Sequence, residues 1–178
     1  MTHDFDSAHS EIEFSVKHMM VSTVKGRFRT FTGTLDINEQ NPSASSVDVS
    51  IDVASVDTNQ EMRDNHLRSP DFFNVAEFPS ITFKSTSVTA QGANTYNVAG
   101  DLTIHGVTKP HTLVVTREGP IKDMQGKQRM AFSIATKISR KEFGLEWNVA
   151  LESGGWLVSD EVKIAIEAEV TEAVPAVA

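Results

Sequence analysis

Arg63, Asp64 and His66 fall within four consecutive residues, in the run Arg63-Asp64-Asn65-His66-Leu67. A cation, a carboxylate and an imidazole on one short helix can face the polar head of a ligand. They can equally tie that helix to neighbouring loops. His105 and His111 flank a tight turn and could meet a metal across a hairpin. A metal site, however, needs three or four ligands and outer hydrogen bonds that orient them. His9, His18 and the remaining histidines show no recurrent spacing, so no metal site is expected. Arg117 stands in phase with an apolar strand face, where a cation is costly unless paired. It reaches either an anionic or polar group at the strand end or an ordinary salt bridge. Arg140, just after a later strand, poses the same choice. Carboxylates such as Glu11 and Glu13 sit on the polar face of a strand, as solvated surface. The motifs G-x-S-x-G, H-E-x-x-H, G-x-x-x-x-G-K-[ST] and G-x-G-x-x-G do not occur, and nothing assembles a nucleophile with a base. The residues make no positive case for catalysis.

Composition narrows the partners. The chain has 178 residues and a formal net charge of −8, which suits one domain with a substantial core. No basic patch interleaved with aromatics is present, so nucleic acid is not an expected partner. There is no cysteine, hence no disulfide and no thiol chemistry. No apolar run approaches the roughly 20 residues of a membrane helix. The N-terminus has neither a basic nor an apolar signal region, so the expectation is cytoplasmic, or periplasmic or secreted if a leader was removed.

The elements that position these residues are mostly strands. Ile12, Phe14 and Val16 alternate with Glu11, Glu13, Ser15 and Lys17, the period of a strand with one buried face. This first strand is read over 6–18. A second, 27–37, has Phe28 and Phe31 out of phase, which a bulge near Thr30 or a kink at Gly33 reconciles. Val47, Val49, Ile51 and Val53 mark a third, Ile81 and Phe83 open a fourth, and Tyr96, Val98, Leu102 and Ile104 a fifth. His111, Leu113, Val115 and Arg117 form a sixth; Met130, Phe132, Ile134, Thr136 and Ile138 a seventh. Val162, Ile164, Ile166, Ala168 and Val170 form the last, after an extended segment carrying Leu145, Trp147, Val149 and Leu151. Residues 172–178 read as a tail beyond a core of about 6–171.

One insertion interrupts the alternation, from Thr58 to Phe83. Thr58 and Glu61 have capping-box spacing, a short helix follows over about 59–67, and Ser69-Pro70 ends it. Phe72, Phe73 and Phe78 then crowd a segment that plugs a barrel end, lines an entrance, or does both. Ser139 and Glu142 repeat the capping-box spacing, with Gly144 placed to end that turn in a left-handed conformation. Eight consecutive, hairpin-connected strands make an all-β chain. Up-and-down connectivity favours a closed antiparallel barrel, which also removes exposed edges, over a sandwich. Eight strands leave a lumen that side chains fill or one slim apolar guest occupies.

These stretches resemble the YceI-like lipid-binding family. The resemblance rests on H-S-E-I-E-F-S-V-K-H-M at His9–Met19, G-R-F-R-T-F-T-G at Gly26–Gly33 and R-D-N-H-L-R-S-P-D-F-F at Arg63–Phe73. F-P-S-I-T-F-K-S at Phe78–Ser85, G-D-L-T-I-H-G-V-T-K-P at Gly100–Pro110 and S-R-K-E-F-G-L-E-W-N at Ser139–Asn148 complete it, in family order. It implies an extended, lipocalin-like eight-stranded barrel with a short helical insertion between strands three and four. It further implies a dimer, and an amphiphile in the lumen: a polyisoprenoid such as a prenyl quinone or prenyl phosphate, or a fatty amide. Many members are periplasmic.

On that reading Phe14, Val16, Phe28, Val49, Ile51, Phe83, Leu102, Leu113, Phe132, Ile134 and Ile164 line the lumen. Met19, Met62, Phe72, Phe73, Phe143 and Trp147 shape one end of it. Arg63, His66, Arg117 and Arg140 are the candidate head-group contacts. The expected function is non-enzymatic binding, transport or storage of the lipid, with no cofactor beyond it. Two alternatives stay open: an enzyme acting on a lipid or quinone through His66, Asp64 or Arg140, and a stress-related interaction module with a filled core.

Overall fold

Alternation of apolar and polar side chains puts one face of nearly every segment out of water, and the chain resolves this by curling a single sheet shut. The computed structural model describes residues 1–173. Its strands are β1 (Thr2–Phe5), β2 (Glu11–His18), β3 (Ser22–Phe28), β4 (Phe31–Asp36), β5 (Ser46–Asp52) and β6 (Val56–Asp57). After the helix α1 (Glu61–Arg68) come β7 (Ser80–Ala90), β8 (Thr95–Ile104), β9 (Val107–Lys122), β10 (Gln128–Ser139) and β11 (Val158–Glu172). All pairings are antiparallel.

Three pairs of short strands act as halves of single wall strands. β11 pairs with β2 through its first part and with β1 at its end. β3 pairs with β2 while β4 pairs with β1, and β6 pairs with β3 while β5 pairs with β4. Counted this way, the wall is a closed eight-stranded up-and-down barrel. The break between β3 and β4 falls at Arg29-Thr30, where the phase conflict between Phe28 and Phe31 calls for one. Phe28 is buried in the core and Phe31 faces the lumen.

Three local expectations need correcting. The first wall strand begins at Thr2, not at residue 6. It is interrupted where the Asp6 carboxylate accepts the Ala8 amide and bonds the His9 ring, which bends the chain. Thr58 and Glu61 form no capping box. Asn59 takes a left-handed φ of 61°, the helix starts at Glu61, and the Gln60 side chain caps it by accepting the Arg63 amide. The Asp64 carboxylate instead receives both the Thr58 amide and its hydroxyl. Ser139 likewise does not cap the turn at Lys141–Phe143. Asp160 accepts the Ser139 hydroxyl and the Lys141 amide, so a carboxylate from across the sheet takes the capping role. Gly144 ends that turn at φ 77°, in the left-handed region, as its position requires.

The segment after Gly144 is not a strand, apart from a bridge between Ala150 and Trp156. Of the expected tail, Glu172 belongs to β11, and residues 174–178 lie outside the described residues.

Candidate functional site

The inward faces of the strands meet two different fates along the barrel axis. At the end carrying α1, Ile12, Phe28, Val53, Val56, Ile81, Ile104, Phe143 and Leu145 form one buried cluster, with Phe14, Leu67 and Phe73 packed on it. Phe28 lies 5.4 Å from Phe14 and 5.9 Å from Phe73, ring centre to ring centre. The Phe14 ring occupies the space where a Cβ on Gly26 would stand, so glycine there permits the close approach. This end is filled.

At the other end the wall residues do not meet. A cavity of about 210 Å³ opens between them, lined almost wholly by carbon. The size is below the roughly 300–1,000 Å³ of pockets for drug-sized ligands, and suits a slender chain. Along β9 its lining runs from His111 to Arg117, about 20 Å of strand at 3.3 Å per residue. The 37–46 connection, with its turn at Pro42–Ala44, borders the mouth.

Nine of the sequence-derived site residues border this cavity: Val49, Ile51, Phe83, Leu102, Leu113, Phe132, Ile134, Ile164 and Arg117. The others lie elsewhere. Phe14, Phe28, Phe73 and Phe143 belong to the filled end. Val16 sits on β2, paired with Val24 and Val162, and does not border the cavity. Met19 and Met62 are largely exposed. Phe72 and Trp147 pack with His66 as an aromatic trio, with ring centres 4.7 to 5.2 Å apart. They fasten α1 to the segment after Gly144.

The four candidate head-group cations separate as cleanly. Arg63 donates from Nε to the Thr58 hydroxyl and from Nη2 to the Thr58 carbonyl. His66 bonds Asp71 through Nε2. Arg140, only 3% exposed, donates to the carbonyls of Ser159, Leu145, Trp147 and Val158. Burial lowers its pKa from the ordinary arginine value, against the opposing pull of Asp160. These three hold backbone and helix together away from the cavity. Arg117 alone of the four faces the lumen, with its guanidinium carbon 5.8 Å from the centre of the Tyr96 ring.

Several lining residues were not singled out from the sequence. Phe5 on β1 was missed with its strand, although Thr2–Phe5 does alternate exposed and buried positions at its start. Tyr96, Val98 and Val115 continue faces whose neighbours were chosen, so strand phase alone would have found them. Val88 faces the cavity only because β7 shifts register between Ser85 and Ser87. His111 and Thr136 also face inward and share a 2.9 Å hydrogen bond. They bridge β9 and β10 just where the ladder between those strands stops, after Ile134 and Val115. His105 packs instead on Phe78, so the two histidines of that hairpin have separate partners.

Asp6, His9 and Glu169 lie close enough to hold an ion. The Arg129 guanidinium already joins them, however, 3.0 Å from Asp6, 2.6 Å from Glu169 and 2.9 Å from Asp123. The group is an ion-pair hub that ties the bend after β1 to the β9–β10 hairpin and β11. Among the described residues no helix is long and apolar enough to cross a membrane.

Comparison with known proteins agrees with the architecture. The YceI-like domain matches residues 3–170. Protein YceI of Salmonella newport is 41% identical over 166 residues, spanning 93% of this chain and 83% of that protein. Among solved structures, Burkholderia cenocepacia BcnA superposes with a TM-score of 0.80 at 28% identity, over 93% of this chain and 99% of the other. The Campylobacter jejuni YceI protein gives 0.75 at 32%, over 89% and 90%. A Saccharophagus degradans domain described as polyisoprenoid-binding, and implicated in plant cell wall breakdown, shares the fold with a TM-score of 0.72 at 18% identity, over 96% and 98%. By sequence along nearly its whole length, the chain belongs to the family of YceI-like domains.

Proposed function

We propose that the barrel binds an amphiphilic lipid, with its apolar chain in the lumen cavity, and serves transport or storage of that lipid. A polyisoprenoid such as a prenyl quinone or prenyl phosphate is the first candidate. The carbon-lined cavity, bordered by side chains of nearly every wall strand, carries this reading. Apolar burial drives such binding at about 0.8 kcal/mol per methylene removed from water, less the cost of ordering a flexible chain. The description of the Saccharophagus degradans domain as polyisoprenoid-binding supports the ligand class. Asp64, His66 and Arg140 are each engaged with neighbouring protein groups, which favours binding over turnover at those residues.

Titration with geraniol, farnesol and geranylgeraniol, followed by displacement of a fluorescent fatty probe, tests this. Affinity rises with chain length until the cavity is full. Ile51→Arg, a charge in the cavity wall, abolishes binding in a folded protein; unchanged binding contradicts the lumen as the site.

The reading extends to a homodimer. Met19, Met20 and Val21 at the β2–β3 hairpin, with Val149 and Trp156, expose a group of apolar side chains on one side of the barrel. Met19 bonds the Leu157 carbonyl and Leu157 bonds that of Val149, which keeps these segments adjacent. Light scattering of wild type against Trp156→Glu distinguishes a dimer seated there from a monomer.

A further inference from the structure

Arg117 is a cationic feature of the cavity that an apolar chain leaves unused. It stands on β9 in phase with Leu113 and Val115, opposite Phe132 of β10, so its side chain enters the lumen near the mouth. Its Nε is buried and has no hydrogen-bond partner among the described residues. No ion pair reaches it there either, although Glu39 and Glu167 border the same cavity. Glu39 is exposed, and Glu167 is exposed and accepts the Ser133 hydroxyl. Every other arginine with a buried or half-buried guanidinium donor described above is engaged: Arg63 by Thr58, Arg129 by three carboxylates, Arg140 by four carbonyls.

An arginine keeps its charge at any physiological pH. The half-buried side chain leaves its Nε without a partner beside apolar side chains, which costs stability, and the Tyr96 ring offsets only part of that cost. Folding alone gives no reason for a cation here. A planar fork of donors suits a carboxylate or a phosphate. We propose that Arg117 receives an anionic end group, carboxylate or phosphate, on the chain held in the cavity. The apolar tail then runs inward toward Ile51 and Phe83, and the charged end rests by Tyr96 at the mouth formed by residues 37–46. The proposal rests on the lipid reading above and adds to it the charge and the orientation of the ligand.

Matched ligands with one chain and two end groups test it. Farnesyl phosphate is compared with farnesol, and palmitate with hexadecanol, in wild type, Arg117→Gln and Arg117→Met. A charge-assisted contact of ordinary strength makes wild type prefer the anion by about tenfold or more. Both substitutions collapse that ratio toward one. Raising the salt concentration weakens the anion's binding to wild type, and the ligand-free Arg117→Met protein melts no lower than wild type. A preference shown by farnesyl phosphate alone assigns the end group as phosphate; one shown by palmitate alone assigns it as carboxylate. Equal affinity for anion and alcohol in wild type overturns the proposal, as does a preference that survives both substitutions. A protein that binds none of the four ligands overturns the lipid reading itself, which is a separate result.

Discussion

The two ends of this barrel share one wall and one residue palette, yet one end is solid and the other hollow. Toward α1, the inward faces carry Phe14, Phe28 and Ile104, and two excursions of the chain bring Phe73, Phe143 and Leu145 into the middle. Toward the 37–46 connection, the inward faces carry Val47, Val49, Val88, Val98, Leu113 and Val115. Among the described residues, no excursion of the chain fills the space between them. Eight strands set a diameter at which side chains either fill the lumen or leave room for one slim guest. The difference teaches that insertions decide occupancy here: the helix and the Lys141–Phe143 turn fill the half they reach. Only the half they do not reach is available to a ligand.

Substitutions of the same chemistry at the two ends should therefore cost differently. Phe28→Ala empties a site closed on all sides and is expected to lower stability by about 4 kcal/mol. Phe132→Ala enlarges a space that already exists, where the ring lacks partners on its inner side. It should cost about 1–2 kcal/mol while weakening lipid binding. Urea unfolding of both variants checks this, and equal costs would mean that the cavity is not open in solution.

Arg140→Ala comes next. It strips four carbonyls of their donor and frees the segment after Gly144 from β11, for an expected loss of about 3 kcal/mol. Hydrogen exchange should rise over residues 144–157 and stay low along β7 and β8. A rise that spread evenly over the barrel would show that the filled end is not a separately stapled unit.

The smallest effect concerns pH at the hollow end. Asp6 is held below the ordinary carboxylate value, first by its bond to His9 and then by Arg129, and Asp123 first by Arg129. The bond to Asp6 in turn raises His9. The lowered carboxylates stabilise the fold above their ordinary value of 3.8, and that contribution is lost as pH falls through the lower folded values. The raised imidazole stabilises below its ordinary value of 6.5, and its contribution is lost as pH rises through the higher folded value. The hub is thus strongest between about pH 4 and 6.5. Arg129→Gln should flatten the fall in Tm below about pH 4. These groups are largely in solvent, so the change is modest. An unaltered acid limb would assign it to other carboxylates.

Much of this was legible in the sequence because period-two alternation reports directly on a half-buried strand. It yields the eight wall strands, the break beside Thr30 and the inward phase of Arg117. The caps were harder to read. Thr58 and Ser139 have suitable neighbours three residues on, but Asp64 and Asp160, brought near by the fold, compete better for their donors. β1 escaped because four residues with a buried histidine carry little periodicity. The division of the lumen was not legible at all. Phe28 and Phe132 look alike in sequence; what separates them is whether something lies across the barrel, and that depends on contacts between residues far apart in the chain. The aromatic residues at 72, 73 and 143, read from the sequence as shaping one end of the lumen, fill or brace the α1 end and do not border the cavity.

The most direct test of a ligand-holding half is native mass spectrometry of freshly purified protein, with solvent extraction and identification of what it carries. The account predicts one lipid per barrel, with prenyl fragmentation, absent from Ile51→Arg purified in the same way. A bare mass for the wild type, still bare after incubation with prenyl quinones, prenyl phosphates and fatty amides, would contradict it.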